Sequence, residues 1–339
     1  MIRLKDIAQQ GGVSVMTVSK ALRDEPDVAA TTKTRIKLLA QQMGYVPDSS
    51  AKGLRARKTK LLGLLIPSLT SPIFSPAIHA IQDRAYQMGY DVLIAQTQDI
   101  PEREEACLQR LLSRRVDGLL ISPAYHMATE SRAYQELADS GIPVVLIGHT
   151  APFCSQFVNV EVDDLGGSYL VTQHLLKLGH KRIAFFAGPQ PTPWSHERLE
   201  GYRRALREAN IEVDDKLIFE AGRSIEDGAK TALQMINEAA VATAIQTVND
   251  SIAIGCAGAL LNQGMKIPGD ISVAGFGNIL ISEHFRIPLT TVDQPKLSLG
   301  IAAIEAIQQF LLGKRPESKR LPAELVVRSS TGIAPATSR

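Results

Sequence analysis

The sequence predicts an N-terminal all-α, three-helix domain followed by an α/β body of two doubly wound lobes. Three observations predict it. The opening segment is basic and reads as short amphipathic helices around a glycine pair. The body alternates apolar strand-like runs with helical patterns, the mark of parallel sheets covered on both faces. Those strands are also more numerous than one doubly wound sheet needs.

At about 150 residues per domain, 339 residues allow two or three domains. A composition of 45% hydrophobic, 21% charged and 5% aromatic residues fits a globular protein and excludes collagen, coiled coil and disorder. The first residues, MIRLKDIAQQ, contain no apolar signal core, and no run reaches the roughly 20 apolar residues that span a bilayer. A cytoplasmic location with no membrane partner is expected. Cys107, Cys154 and Cys256 are odd in number and far apart, which indicates neither a disulfide framework nor a zinc knuckle. They are expected to be small buried hydrophobes. The net charge of +2 conceals an asymmetry, because residues 1–60 hold twelve Lys or Arg against five Asp or Glu. A head of +7 on a body of −5 suits a head that meets a polyanion.

In the head, Leu4, Ile7 and Ala8 mark one helical face, and Gly11 and Gly12 stop that helix. Ser14 is a natural cap for a second helix whose inner face is Val18, Ala21 and Leu22. A third helix turns Ile36, Leu39, Ala40 and Met43 inward and stops at Gly44. A short helix, a glycine turn and a second helix make a helix-turn-helix.

The run LKDIAQQGGVSVMTVSKALRDEPDV followed by LAQQMGYVPDSSAKGLRARKTKLLGLLIP resembles, without a gap, the opening of the LacI/GalR family of bacterial transcription regulators. Val13-Ser14, Thr17-Val18-Ser19, Gly44-Tyr45 and Pro47 stand at the family's spacing. The resemblance implies that Val15, Met16 and Lys20 face base edges in the major groove, while Ser14, Thr17 and Ser19, with Arg23 nearby, hold phosphates. Residues 48–60 look like the family's hinge, and Leu54 matches the leucine wedged into the minor groove. Gly53, a poor helix former, is a departure that makes hinge folding more costly. Ala29 is another, standing where relatives often place a serine cap; Thr31 or Thr32 is expected to substitute, moving the start of the third helix by a turn.

Body strands are expected at Leu61 to Ile66, Asp91 to Ala95, Gly118 to Ile121, Val144 to Ile147, Arg182 to Phe186, Ala244 to Val248 and Ile271 to Gly275. Helices are expected at Pro76 to Met88, Pro101 to Arg114, Leu165 to Leu178, Arg198 to Ala209, Ser251 to Asn262 and Lys296 to Leu312. The family likeness continues through PxFxPxIxxIxxxAxxxGY at Pro72 to Tyr90, then RRVDGLLISP, LGHKRIAFFAGP, ERLEGYRRAL, VNDSIAIGCAGAL, GMKIPGDISVAGFGN and PLTTVDQP. It implies a periplasmic-binding-protein-like type I body. The expected domains are 1–47 (helix-turn-helix), 48–60 (hinge) and 61–339 (effector binding and dimerisation). Lobe one is about 61–160 plus 294–320, and lobe two about 161–293 plus 321–333.

Carried over position by position, the effector contacts are Ser71, Phe74, His149, Trp194, Arg198, Gln246, Asn249 and Gly277. Trp194, the only tryptophan, is either a stacking platform or a lid on the core. The donor fork of Arg198 suits vicinal hydroxyls or a carboxylate. Asp250 reads as an N-cap of the following helix. Gly277 stands where relatives commonly place an aspartate, so either the ligand is bulkier or anionic there or Asn278 takes over.

The expected partners are double-stranded operator DNA, a small effector (a sugar, oligosaccharide or sugar acid) and a second copy of the chain. The expected role is sequence-specific transcriptional regulation, in the sense of a repressor; a sugar-binding receptor without DNA function is the alternative, and it has no need of the basic head. No heptad segment follows the last strand, so a tail-built tetramer is not expected. Gly275-x-Gly277 lacks the third glycine of a dinucleotide fingerprint, and no GxxxxGK[ST], HExxH or GxSxG occurs. No catalytic residues, cofactor or metal are expected.

Overall fold

The computed structural model describes residues 2–45, 58–238 and 240–335. The chain separates into two compact units, Met1–Thr59 and Lys60–Arg339.

The first unit holds α1 (Leu4–Gly11), α2 (Val15–Leu22) and α3 (Ala30–Gln42). Ile7, Ala8, Val18, Ala21, Ile36 and Ala40 form its core, the residues that the 3.6-residue period turns to one side. Gly12, at φ +62°, ends α1 in the left-handed conformation. A Cβ on Gly11 would lie 2.8 Å from Ile36 Cδ1, so glycine lets α1 close onto α3. The Ser14 hydroxyl accepts the Thr17 N–H at 3.1 Å and caps α2. The expected shift in α3 does not occur. The helix begins at Ala30, with Ala29 in the cap position and no side-chain cap. Its first turns are held from outside instead: Lys37 Nζ donates to Asp24 Oδ1 and Oδ2 at 2.6 Å, and Lys33 Nζ donates to the Asp24 carbonyl at 3.2 Å.

In the second unit, strands β1 (Leu61–Ile66), β2 (Asp91–Gln96), β3 (Gly118–Ile121), β4 (Val144–Ile147), β5 (Val158–Val162) and β11 (Lys319–Leu321) form one sheet. Their order is β11-β5-β4-β3-β1-β2, all parallel. Helices α4 (Phe74–Gln87) and α12 (Lys296–Leu311) cover one face, and α5 (Pro101–Ser113) and α6 (Arg132–Ser140) the other. Burial on both faces explains why β1 reads as a continuous apolar run. Leu62, Leu64 and Ile66 enter one core and Leu65 the other.

The second sheet, also parallel, runs β7 (Ile218–Glu220), β6 (Ile183–Ala187), β8 (Ala244–Thr247), β9 (Ser272–Ala274). It lies between α7 (Asp164–Lys177) with α8 (Pro193–Glu208) and α9 (Ile225–Asn237) with α10 (Asp250–Asn262). β10 (Thr291–Asp293) and β12 (Glu324–Val326) pair antiparallel beside it. A short α11 (Leu280–His284) precedes them. The chain therefore crosses between lobes three times: after Val162, after Asp293 and after Leu321.

α8 starts at Pro193 rather than Arg198, because the fixed φ of proline suits the first helical position. All three cysteines are free and buried, and burial pushes the Cys154 thiol up to about 11. Among the described residues no helix is long and apolar enough to cross a membrane.

Glycines set the helix pairing in lobe two. A Cβ on Gly228 would lie 2.2 Å from the Ile252 carbonyl, and one on Gly255 would lie 1.8 Å from the Ile225 carbonyl, so α9 and α10 meet backbone to backbone. Gly255→Ala should cost at least about 3 kcal/mol, because backbone and not a flexible side chain has to move. Gly258, on the same helix with open space at its Cβ, is the control. Gly258→Ala should be neutral or stabilise by up to about 1 kcal/mol. Urea unfolding of both variants checks the contrast, and equal midpoints would refute the close approach.

Candidate functional site

On the first unit, the face of α2 opposite the core carries Val15 and Met16, which are 46% and 68% exposed. Neither is needed to fill the interior. Ser14 Oγ and Thr17 Oγ1 are hydrogen-bonded at 2.9 Å beside them. The Ser19 carbonyl accepts Arg23 Nε at 3.1 Å. Lys20 is ion-paired with Asp27, a partner that the sequence reading missed because it lies beyond the helix end. The same pairing holds the Asp27 carboxyl below its usual range. Ser14, Met16, Thr17, Lys20 and Asp27 line one shallow groove. Leu54 and most of the hinge lie outside the described residues.

In the second unit, loops at the carboxyl ends of both sheets enclose a cavity of about 330 Å³. Ser71, Phe74, His149, Trp194, Arg198 and Asn249 all line it. Its centre is a buried ion network that joins the lobes. Asp164, the first residue of α7, accepts Arg198 Nε at 2.8 Å and Nη2 at 2.6 Å on Oδ1, and pairs with His149 Nε2 at 2.7 Å through Oδ2. His149 Nδ1 lies 2.9 Å from Glu161 Oε2. Burial opposes charge on His149, but the hydrogen bonds with Asp164 and Glu161 outweigh it and push the imidazole up to about 9. It is therefore a cation at neutral pH. Burial likewise opposes charge on Asp164, yet Arg198 and His149 hold it below the ordinary carboxylate range. Arg320 closes the network against Glu161 at 3.2 Å and against Glu197.

Several expectations change at this point. The guanidinium of Arg198 is already occupied, since Nη1 donates to the Val248 carbonyl at 2.6 Å while Nε and Nη2 hold Asp164. It also lies 3.7 Å from the Phe276 ring centroid and 5.0 Å from that of Trp194. Trp194 both lines the cavity and packs against the lobe-two core, so neither of its two readings excludes the other. Gln246 does not line the cavity. Its amide accepts from Thr172 Oγ1 at 2.6 Å and donates to Ser168 Oγ at 2.7 Å, fastening β8 to α7. Gly277 and Asn278 do not line it either. Asn278 donates to Asp293 Oδ1 at 3.1 Å and accepts from Arg328 at 2.8 Å, so it does not replace a missing aspartate. The cap of α10 is Asn249, whose Oδ1 accepts the Ile252 N–H at 2.8 Å, and not Asp250. Asp250 is buried, accepting the Ile279 N–H at 3.0 Å and the hydroxyls of Ser282 at 2.7 Å and Thr291 at 2.5 Å.

A helical unit with an exposed capped helix, joined to a two-lobed clamp, has a counterpart among known proteins. The family model for bacterial regulatory proteins of the lacI family matches residues 3–48, and that for periplasmic binding proteins and the sugar binding domain of the LacI family matches residues 59–328. The chain belongs to the LacI family. The HTH-type transcriptional regulator DegA of Bacillus subtilis (strain 168) is 31% identical over 328 residues, covering 96% of this chain and 97% of DegA. The lac repressor dimer bound to operator and the anti-inducer ONPF superposes with a TM-score of 0.86 at 28% identity, covering 98% of this chain and 99% of that one. The complex of the regulator CelR with cellobiose gives 0.74 at 26% identity, covering 97% and 100%. This LacI-family chain is accordingly a DNA-binding transcriptional regulator and not an enzyme.

Proposed function

We propose that this LacI-family chain is a cytoplasmic repressor that grips a pseudopalindromic operator as a homodimer and is controlled by a small carbohydrate-like effector in the interlobe cleft. The observation that carries the DNA half is the exposure of Val15 and Met16 beside Lys20, on a capped helix whose other face is the core. In this reading α2 enters the major groove. Lys20 leaves Asp27 to donate to a guanine, Val15 and Met16 touch apolar groups such as a thymine methyl, and Ser14, Thr17, Ser19 and Arg23 hold phosphates. Residues 1–47 read the half-site, and 48–60 carry the Leu54 wedge that bends the duplex. Two-fold symmetry in the protein calls for two-fold symmetry in the site.

The effector half rests on a cleft walled by Ser71, Phe74, His149, Trp194, Arg198 and Asn249, from both lobes. A ligand that touches both walls favours closure, and such coupling is typically about 1–3 kcal/mol. Selection of bound duplexes from a randomised pool tests the reading. The full chain should enrich two related half-sites in inverted orientation, and its affinity should fall steeply with salt. A chain lacking residues 1–59 should enrich nothing. Equal enrichment by the truncated chain would overturn the assignment.

A further inference from the structure

The polar groups of the cleft wall fall into two sets. Every charged side chain in the wall is already answered from within the protein. His149 and Arg198 share Asp164, with Glu161 on the far side of the imidazole. Arg223 reaches across from lobe two to pair with Asp99 of lobe one. Lys296 Nζ donates to the Gly277 carbonyl at 2.7 Å and to Asp293 Oδ1 at 3.0 Å. Asp250 is saturated by two hydroxyls and one backbone N–H.

Among the neutral groups, Asn249 and the Tyr125 hydroxyl are also answered, but two buried ones are not. Gln294 is only 7% exposed and Ser122 only 5%, both line the cavity, and the side chain of neither has a hydrogen-bond partner among the described residues. Neither is sealed off, since neither is among the fully buried side-chain atoms left without a partner in the described residues. Buried polar groups are ordinarily satisfied, so an amide and a hydroxyl left open onto one cavity mark where a ligand makes its hydrogen bonds. Together they offer three donor hydrogens and two acceptor oxygens.

We propose that the cleft takes an uncharged ligand of one or two rings whose hydroxyl or amide groups bond to Gln294 and Ser122, and that it rejects sugar acids and sugar phosphates. This rests on the reading of the cleft as the effector site and narrows it. A carboxylate or phosphate entering the cleft finds no unpaired cation among the described residues of its wall. It has to compete with Asp164 for the buried guanidinium of Arg198, or with Asp99 for the more exposed one of Arg223, and so disturbs an ion pair that the protein already makes. The cavity volume of about 330 Å³ is at the small end for ligand pockets, which sets the limit at one or two rings. The apolar side of the ligand meets Ile73, Phe74 and Leu299. The rings of Phe276 and Trp194 are engaged by guanidinium groups, leaving Phe74 and Tyr125 as the aromatic surfaces.

The test is a thermal-shift and calorimetric panel on the full chain. It uses neutral hexoses, pentoses and their methyl and phenyl glycosides, each matched with its uronate and its phosphate ester. The expected result is that binding is confined to the neutral arm. For the neutral compound that binds, Gln294→Leu and Ser122→Ala should each weaken affinity about tenfold or more while the ligand-free melting temperature holds. A matched anion that binds more tightly, affinities unmoved by both substitutions, or no neutral compound that binds would overturn the proposal. A compound of either arm that binds in the cleft yet leaves operator affinity unchanged overturns instead the reading of the cleft as the control site.

Discussion

Asp164→Ala should destabilise the body by about 3–5 kcal/mol, the range for breaking a buried ion pair from one side. One carboxylate holds two cations from different elements: Arg198, at 2.8 and 2.6 Å, belongs to α8, and His149, at 2.7 Å, follows β4. Without it, Arg198 keeps only the Val248 carbonyl and two aromatic rings. At about 2–4 °C per kcal/mol, the melting temperature should drop by roughly 10 °C. The double variant Asp164→Ala/Arg198→Met should cost less than the sum of its parts, because no guanidinium is then left stranded. The same centre sets a pH dependence. The pKa of His149 is raised from 6.5 to about 9, so the stabilisation it adds is complete below about pH 6.5 and is lost as pH rises through about 9. The parent melting temperature should fall across that window, and His149→Gln should flatten the fall. Thermal denaturation followed by circular dichroism at pH 6, 7.5 and 9 measures both effects. An Asp164→Ala melting temperature matching the parent, or a parent curve that rises with pH, would sink this account.

Sequence reading succeeded where one residue period dominates. β1, β3 and β4 are apolar on both faces and short, and their bounds follow from the run itself. β5 escaped notice because Asn159 and Glu161 interrupt its valines. Those polar residues are there because the strand edges the ion network: Asn159 Nδ2 donates to Glu161 Oε2 at 2.8 Å, and Glu161 holds His149. β7 and β12 are three residues each, too few for any period to register. At the cleft, residue identities were legible but their engagements were not. Arg198 stands where the family likeness puts it, yet its donors are committed to Asp164, 34 positions earlier in the chain. Asn249 took the cap expected of Asp250, because cap geometry is decided by a single backbone turn. Gln294 stood in the sequence only inside the PLTTVDQP match, with nothing to single it out. What distinguishes it is the lack of a partner, and only packing reveals that.

Met16→Glu should lower operator affinity by at least about thirtyfold while leaving the fold intact. The side chain is 68% exposed and outside the core of the first unit, so the stability change should stay within about 0.5 kcal/mol. Its place on the first turn of α2, next to Ser14 and Thr17 in the groove that holds Lys20, puts the new carboxylate against the duplex. There it repels phosphates and offers Lys20 a second acceptor in competition with guanine. A homodimer carries the change twice, so a penalty of about 1–3 kcal/mol per half-site becomes about 2–6 kcal/mol for the operator. Leu38→Glu is the matched control. Leu38 is 55% exposed, lies on α3 and is not part of that groove, so the same added charge should weaken binding far less. Fluorescence anisotropy on a labelled operator at two salt concentrations separates the local effect from the general loss of positive charge, because the latter changes with salt. If both substitutions weaken binding equally, α2 is not the helix that reads the site.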